Sequence, residues 1–293
     1  MSTHTVQEIS QRIEELPTLP AIAHRISYLL DDETVDYRKI AALIEQDPPL
    51  AVKILRIANS PLHMTLSKVH TIEHALAILG ANELRSILSA LAVYDFFQQQ
   101  ESNGFDRRGF WRHAIVCSQI AKYLANHFRC QDDAIFLSGL IHDIGKIVFD
   151  AYFRDDFKQI LTLVASRHQS FSKAEKEVLG VTHYQVAAKL LHQWDFPPQV
   201  VSPVLYHHAP WHDRDYPCSS IVIYLANIFA KIIGYPSLKA EEPTTAAIFS
   251  NPKLLKFLSI NGFELNPKKV EVMIGNLHQT IHRSEDNILH LFD

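Results

Sequence analysis

Gly139-Leu140-Ile141-His142-Asp143-Ile144-Gly145-Lys146 is the stretch on which the reading of this chain turns. It follows an apolar run with Ile135, Phe136 and Leu140 at helical spacing. A hydrophobic helix face therefore carries an adjacent imidazole and carboxylate toward the interior. A buried carboxylate is costly unless it is paired or bound to a cation, so the His142-Asp143 pair calls for a metal or an internal base. Lys146, three residues after Asp143, shares its side of a helix and can ion-pair with it. The same residues also admit a plainer reading, a solvent-facing Asp143–Lys146 pair beside a core His142. The octapeptide alone leaves both open.

Outward from this stretch, the helical period continues in both directions. Ile22, Ile26 and Leu29-Leu30 form one apolar stripe, Ile40, Leu43 and Ile44 a second, and Val52, Leu55 and Ile57 belong to a third. Ser172-x-x-Glu175 and Thr182-x-x-Gln185 read as capping boxes, in which side chains satisfy the first free amides of a helix. Pro48-Pro49 and Pro197-Pro198 stand where helices begin, and Gly80 follows Ala75–Leu79 as a C-terminal cap would. No alternation of apolar and polar residues lasts long enough for a sheet. The expected fold is all-α. The polar stretch Gln98–Arg108, with Ser102, Asn103 and Gly104, divides an N-terminal helical subdomain (1–104) from a second helical subdomain (105–235). After the breaks at Pro236 and Pro243, a C-terminal helical extension (236–293) carries Ile248-Phe249 and Leu254-Leu255-x-Phe257-Leu258, which are apolar enough to need burial.

Composition narrows the function. With 293 residues, 47% apolar and 20% charged, the chain can bury a large core without disulfides or a structural metal. A formal charge of −4 gives no electrostatic footprint for nucleic acid. Three cysteines, Cys117, Cys130 and Cys218, without close spacing argue against a secreted disulfide scaffold and a cysteine zinc knuckle. Met1–Arg12 lacks the apolar core of a signal peptide, and the longest apolar stretches, such as Ile87–Val93, fall short of a bilayer span. The expected protein is cytoplasmic, with no membrane partner.

The 17 histidines have to be judged one by one. His113 shares a face with Val116, Ile120 and Leu124, and His183 shares one with Val186, Ala187 and Leu190. His207-His208 closes the helix Gln199–Tyr206, just before Pro210. Each alone fits a core histidine or a favourable helix C-terminus. Together, five imidazoles and Asp143 on the inner faces or ends of four helices match the way bundles build metal sites. His4, His24, His168, His192, His212, His278, His282 and His290 show no such convergence and are expected at the surface. His63, His70 and His74 are assigned structural roles in the N-terminal subdomain.

The order His113, then His142-Asp143, resembles the start of the HD phosphohydrolase superfamily pattern, His…His-Asp…Asp. With His183 and His207-His208 it is similar to the branch that holds HD-GYP proteins and HDOD domains. The N-terminal strings separate these. Leu16-Pro17-Thr18-Leu19-Pro20, Asp47-Pro48-Pro49-Leu50, Arg56-Ile57-Ala58-Asn59-Ser60 and Ala75-Leu76-Ala77-Ile78-Leu79-Gly80 closely resemble the HDOD signature, as does Trp194-x-Phe196-Pro197. The likeness covers about residues 16–235.

The resemblance implies a first metal site from His113, His142 and Asp143, and a second that shares Asp143 with His183, His207 and His208. The final superfamily Asp corresponds here to Asn227, whose amide lacks the charge that holds a divalent ion. The HD-GYP loop after the paired histidines is missing, since the chain runs Ala209-Pro210-Trp211-His212-Asp213. Asp215-Tyr216-Pro217 lacks the glycine and comes too late to replace it. Gly109 offers no side chain where some relatives have a carboxylate. The donors suit iron, manganese or zinc. In a working enzyme of this type, paired ions roughly 3.5–4 Å apart clamp the phosphoryl oxygens. Asp143 and Lys146 would then be the catalytic residues, with Lys146 stabilising developing negative charge. The expectation is an HDOD-type signalling protein with protein partners in trans, a degenerate metal site and poor catalysis. The alternative is a metal-dependent phosphohydrolase acting on a nucleotide or cyclic dinucleotide.

Overall fold

The computed structural model describes residues 6–16, 37–59, 68–98, 105–238 and 245–289. The stripe Ile22–Leu30, Pro17–Pro20, Ser60, Ser102–Gly104, Pro243 and the histidines His4, His24, His63 and His290 lie outside them, as does the side chain of His282. Among the described residues there is no strand. The expected all-α fold is the one observed.

The helices are α1 (Val6–Glu14), α2 (Tyr37–Glu45), α3 (Pro48–Ala58), α4 (Ile72–Gln98), α5 (Arg107–Phe128), α6 (Ile135–Ile141), α7 (Ile144–Tyr152), α8 (Arg154–Arg167), α9 (Phe171–Val178), α10 (His183–Gln193), α11 (Pro198–Tyr206), α12 (Pro217–Ile232), α13 (Ala246–Phe249), α14 (Pro252–Ile260) and α15 (Pro267–Leu289). Their ends follow local chemistry. Asp47 caps α3 by accepting from the Leu50 N–H at 3.1 Å, with Pro48 in the first position. Asp106 caps α5 through the Gly109 N–H at 2.8 Å. The Thr182–Gln185 capping box is present at the start of α10. Gly80 breaks α4 with φ 72° and ψ 172°, a conformation that a residue without Cβ adopts freely. The box expected at Ser172–Glu175 is not there: α9 begins at Phe171 after Ser170, and Glu175 turns its carboxylate elsewhere.

Three hydrophobic cores result. The first unites α2, α3 and the first half of α4 through Ile40, Ile44, Ile54, Ile57, Leu76 and Leu84. Val52, read from the sequence as part of an apolar stripe, is 47% exposed, and Ile54 and Ile57 carry the buried face of α3 instead. The second core takes Ile9 and Ile13 of α1, the last turns of α4 and most of α6–α11. The third joins α5 and α12 to the C-terminal helices through Leu124, Phe229, Ile248, Leu254, Leu258 and Met273. The apolar C-terminal segments are thus buried as expected, and they cover the outer side of α5 and α12.

At 27 residues, α4 is long and apolar enough to cross a membrane by length and composition alone. Unbroken apolar stretches in the sequence do not reveal this, because polar residues interrupt the helix without lowering its mean hydropathy much. Its Ile72, Leu76, Leu84, Ile87, Val93 and Phe97 are buried in the two cores it serves.

Helix α5 is the spine, packed along α6 and α12. Gly139 allows the approach of α6, since a Cβ there would lie 2.8 Å from the Ser118 Cα. Cys130, just after α5, and Cys218, at the start of α12, are joined as a disulfide across 88 residues, with Cα atoms 6.0 Å apart. Cys117 is buried and free.

Candidate metal centre

The His142-Asp143 pair occupies the junction between α6 and α7. His113 approaches from α5, His183 from the first position of α10, and His207 and His208 from the end of α11. His113, His142, Asp143, His183 and His207 are fully buried, and His208 is partly exposed. Sequence reasoning proposed these six side chains together with Asn227, and the fold brings the six together. Their ligand atoms form two groups, Asp143 with His183, His207 and His208, and Asp143 with His113 and His142. Within each group the atoms lie within 4.8 Å of one another.

The ring orientations are set from behind. His113 Nδ1–H donates to the Tyr235 carbonyl at 2.7 Å, His142 Nδ1–H to the Gly139 carbonyl at 2.7 Å, and His207 Nδ1–H to the Val204 carbonyl at 2.7 Å. A carbonyl only accepts, so each of these nitrogens carries the proton and each neutral ring presents a lone pair at Nε2. These lone pairs face one another and Asp143. His113 Nε2 lies 3.4 Å from His142 Nε2, and His142 Nε2 lies 3.5 Å from Asp143 Oδ2. Asp143 Oδ1 stands 3.1 Å from His183 Nε2 and 3.5 Å from His207 Nε2, and His208 Nε2 stands 3.1 Å from His183 Nε2.

Acceptors facing acceptors at such distances need a proton or a metal ion between them. Four donors bound tetrahedrally at about 2.1 Å stand about 3.4 Å apart, close to what is observed. Two further observations agree. Asp143 Oδ1 and His207 Nε2 are buried without a hydrogen-bond partner, although such atoms are nearly always satisfied. Burial holds His113 down to about 4, and it also lowers His142 and His207 against the pull of Asp143, keeping these rings neutral as ligands must be. The residues therefore fit a divalent transition ion.

His183 differs from the others. Its Nδ1 lies 2.9 and 2.8 Å from the two oxygens of Glu175, whose Oε1 also accepts from the His183 backbone N–H at 3.1 Å. Burial would lower the pKa of His183, but Glu175 and Asp143 outweigh it and raise the value. Glu175 is the residue that sequence reasoning misassigned. Its signal was an acid on the apolar face of α9, in line with Phe171 and Val178.

Lys146 is buried, with Nζ 2.7 Å from Asp143 Oδ2 and 2.8 Å from Ser237 Oγ. The solvent-facing pair is thereby excluded. Burial works to raise the Asp143 pKa, yet Lys146 and the surrounding imidazoles hold it well below the usual carboxylate range. Asn227 is buried on α12, the helix packed along the His113-bearing α5, and its Oδ1 has no hydrogen-bond partner. Gly145 lets α7 meet α10, since a Cβ there would lie 2.0 Å from the His183 carbonyl oxygen. His168, His192, His212 and His278 are exposed, as expected, and so are His70 and His74.

Residues 16–210, most of the chain, match the HDOD domain family. The chain belongs to the HDOD family. An HDOD domain protein of unknown function from Geobacter sulfurreducens has the same fold, with a TM-score of 0.79 at 23% identity, covering 98% of this chain and 96% of that one. A protein of Shewanella amazonensis named as a candidate phosphohydrolase gives 0.73 at 22% identity, over 97% and 98% of the two chains. One from Marinobacter aquaeolei named as a candidate signal transduction protein gives 0.70 at 24%, over 95% of this chain and 60% of that one. An uncharacterised protein of Treponema pallidum is 23% identical over 237 residues, 79% of this chain. This HDOD chain spans less than half, 45%, of that curated relative.

Proposed function

We propose that this HDOD protein is a cytoplasmic regulatory module that binds one or more divalent transition ions, iron, manganese or zinc, and catalyses phosphate-ester hydrolysis poorly or not at all. The observation that carries the reading is the set of Nε2 lone pairs converging on Asp143, each ring locked from behind. His113, His142, Asp143, His183, His207 and His208 would hold metal, with Asn227 a weak neutral donor. A metal there supplies Lewis acidity toward a phosphate ligand such as a nucleotide. The protein's own groups are poorly arranged to exploit it. The Lys146 ammonium is committed to Asp143 and Ser237, and an amide stands where the superfamily resemblance expects a second anionic ligand. Protein partners bound in trans on the helical faces would read the state of the centre.

The second reading, a phosphohydrolase acting on a nucleotide or cyclic dinucleotide, draws on the intact His142-Asp143 and Lys146. Elemental analysis of protein purified without chelator, together with turnover assays in manganese or ferrous iron on phosphomonoesters, nucleotides and cyclic di-GMP, separates the two. Bound transition metal without turnover supports the regulatory reading. Turnover abolished by both His142→Ala and Asp143→Ala supports the enzyme. Absence of metal overturns the metal centre in both.

A further inference from the structure

The two faces of Asp143 are unequal. On the Oδ2 face, the Lys146 ammonium already sits 2.7 Å from the oxygen, and the remaining donors are His113 and His142, both backed by neutral carbonyls. A cation placed there shares its only anionic oxygen with a lysine and is repelled by it. On the Oδ1 face, the oxygen has no hydrogen-bond partner, and three imidazoles surround it. One of the three, His183, is backed by a buried carboxylate, Glu175, which grips both its Nδ1 and its backbone N–H. A carboxylate behind a ligating imidazole fixes its tautomer and raises its basicity, and it brings a second negative charge within reach of the ion.

We propose that the centre holds one divalent ion tightly, on the Oδ1 face, and that Glu175 is the positioning residue that gives this face its affinity. The inference rests on the metal-binding reading above. It goes further in assigning a single tight ion to one face and a role to a residue outside the ligand set. Glu175 touches neither the ion nor a substrate, and it acts through His183. Its backbone-directed bond fixes the start of α10, and its ring-directed bonds aim Nε2 at Asp143 Oδ1, 3.1 Å away.

The test is a titration of the full chain, stripped of metal by chelator, with zinc in competition with a chromophoric chelator. The unsubstituted protein is expected to take up one tight equivalent, with any second equivalent much weaker. Glu175→Gln, which keeps an oxygen to accept the Nδ1–H, is expected to weaken the tight equivalent by about 10- to 100-fold. It should leave the melting temperature of the metal-free protein nearly unchanged. A merely structural role would lower that temperature and spare the zinc affinity. Equal affinity in the variant, or two equally tight equivalents in the unsubstituted chain, overturns the proposal. X-ray absorption of the one-zinc form of the unsubstituted protein gives a check independent of any variant: three imidazoles per zinc support it and two overturn it. No zinc uptake by the unsubstituted chain would refute the metal centre itself, and this inference with it, whereas uptake unaffected by Glu175→Gln refutes this inference alone.

Discussion

Replacing Gly145 with alanine adds a single methyl group where the α7–α10 contact has no room for one. The new Cβ would stand 2.0 Å from the His183 carbonyl oxygen, 2.7 Å from its carbon and 2.8 Å from its Cα. All three are backbone atoms, so no rotamer change relieves the clash. Real Cβ contacts essentially never fall below 3.0 Å, so the two helices must part by about 1 Å. Overpacking of this kind costs about 1–3 kcal/mol. For a chain of this size that lowers the melting temperature by roughly 2–12 °C. The same displacement stretches the 3.1 Å gap between His183 Nε2 and Asp143 Oδ1 to about 4 Å, near the limit at which two donors can share one ion at bonds of about 2.1 Å. Two losses are therefore expected together, a lower melting temperature and the disappearance of the extra stabilisation that zinc gives the unsubstituted protein. Thermal melting followed by circular dichroism, with and without zinc, reads both. If Gly145→Ala melts with the unsubstituted protein and responds equally to zinc, the close approach of α7 and α10 does not set the site.

Asp150→Ala should destabilise the fold by about 3–5 kcal/mol in urea titration, because it removes the buried carboxylate that the Arg107 guanidinium bonds at 2.6 and 2.7 Å. Asn227→Asp should raise the number of zinc equivalents bound at a given free zinc concentration, by giving an anionic donor to the His113–His142 side. Unchanged uptake would show that position 227 is not where the superfamily's last ligand falls.

What could be read in advance is what obeys a short-range rule. The sequence places His113 and His183 inward because apolar partners three, four or seven residues away define a helix face, and both are fully buried. Pro48, Pro198, Thr182 and Gly80 act through their own backbones or those of near neighbours, and all mark helix ends or a break as expected. Long-range complementarity left little local trace. Glu175 has the spacing of a capping residue from Ser172, but the start of α10, eight residues further on, offers it an amide and an imidazole that a cap does not. The pairing of Lys146 with Asp143 follows from their spacing of three, yet its burial depends on Ser237, 91 residues away, and on the ring of Phe171, whose centroid is 5.1 Å from Nζ. The Cys130–Cys218 bond spans 88 residues for the same reason.

Asn227 takes on a different meaning once the buried charges are considered together. Asp143 and Glu175 bring two negative charges into a space fully removed from water, and Lys146 balances one of them. The single remaining charge is small enough to be met by a proton on His183, whose raised pKa comes from those same two carboxylates, or by a metal ion that displaces this proton. An aspartate at 227 would add a third buried carboxylate with no further cation to answer it, and an uncompensated buried charge costs several kcal/mol. The chain would then depend on metal to fold well. An amide removes that dependence, so the same bundle can stand with the centre filled or protonated. Under the proposed regulatory reading, that is the property required, since partners would respond to the state of the site rather than to a released product.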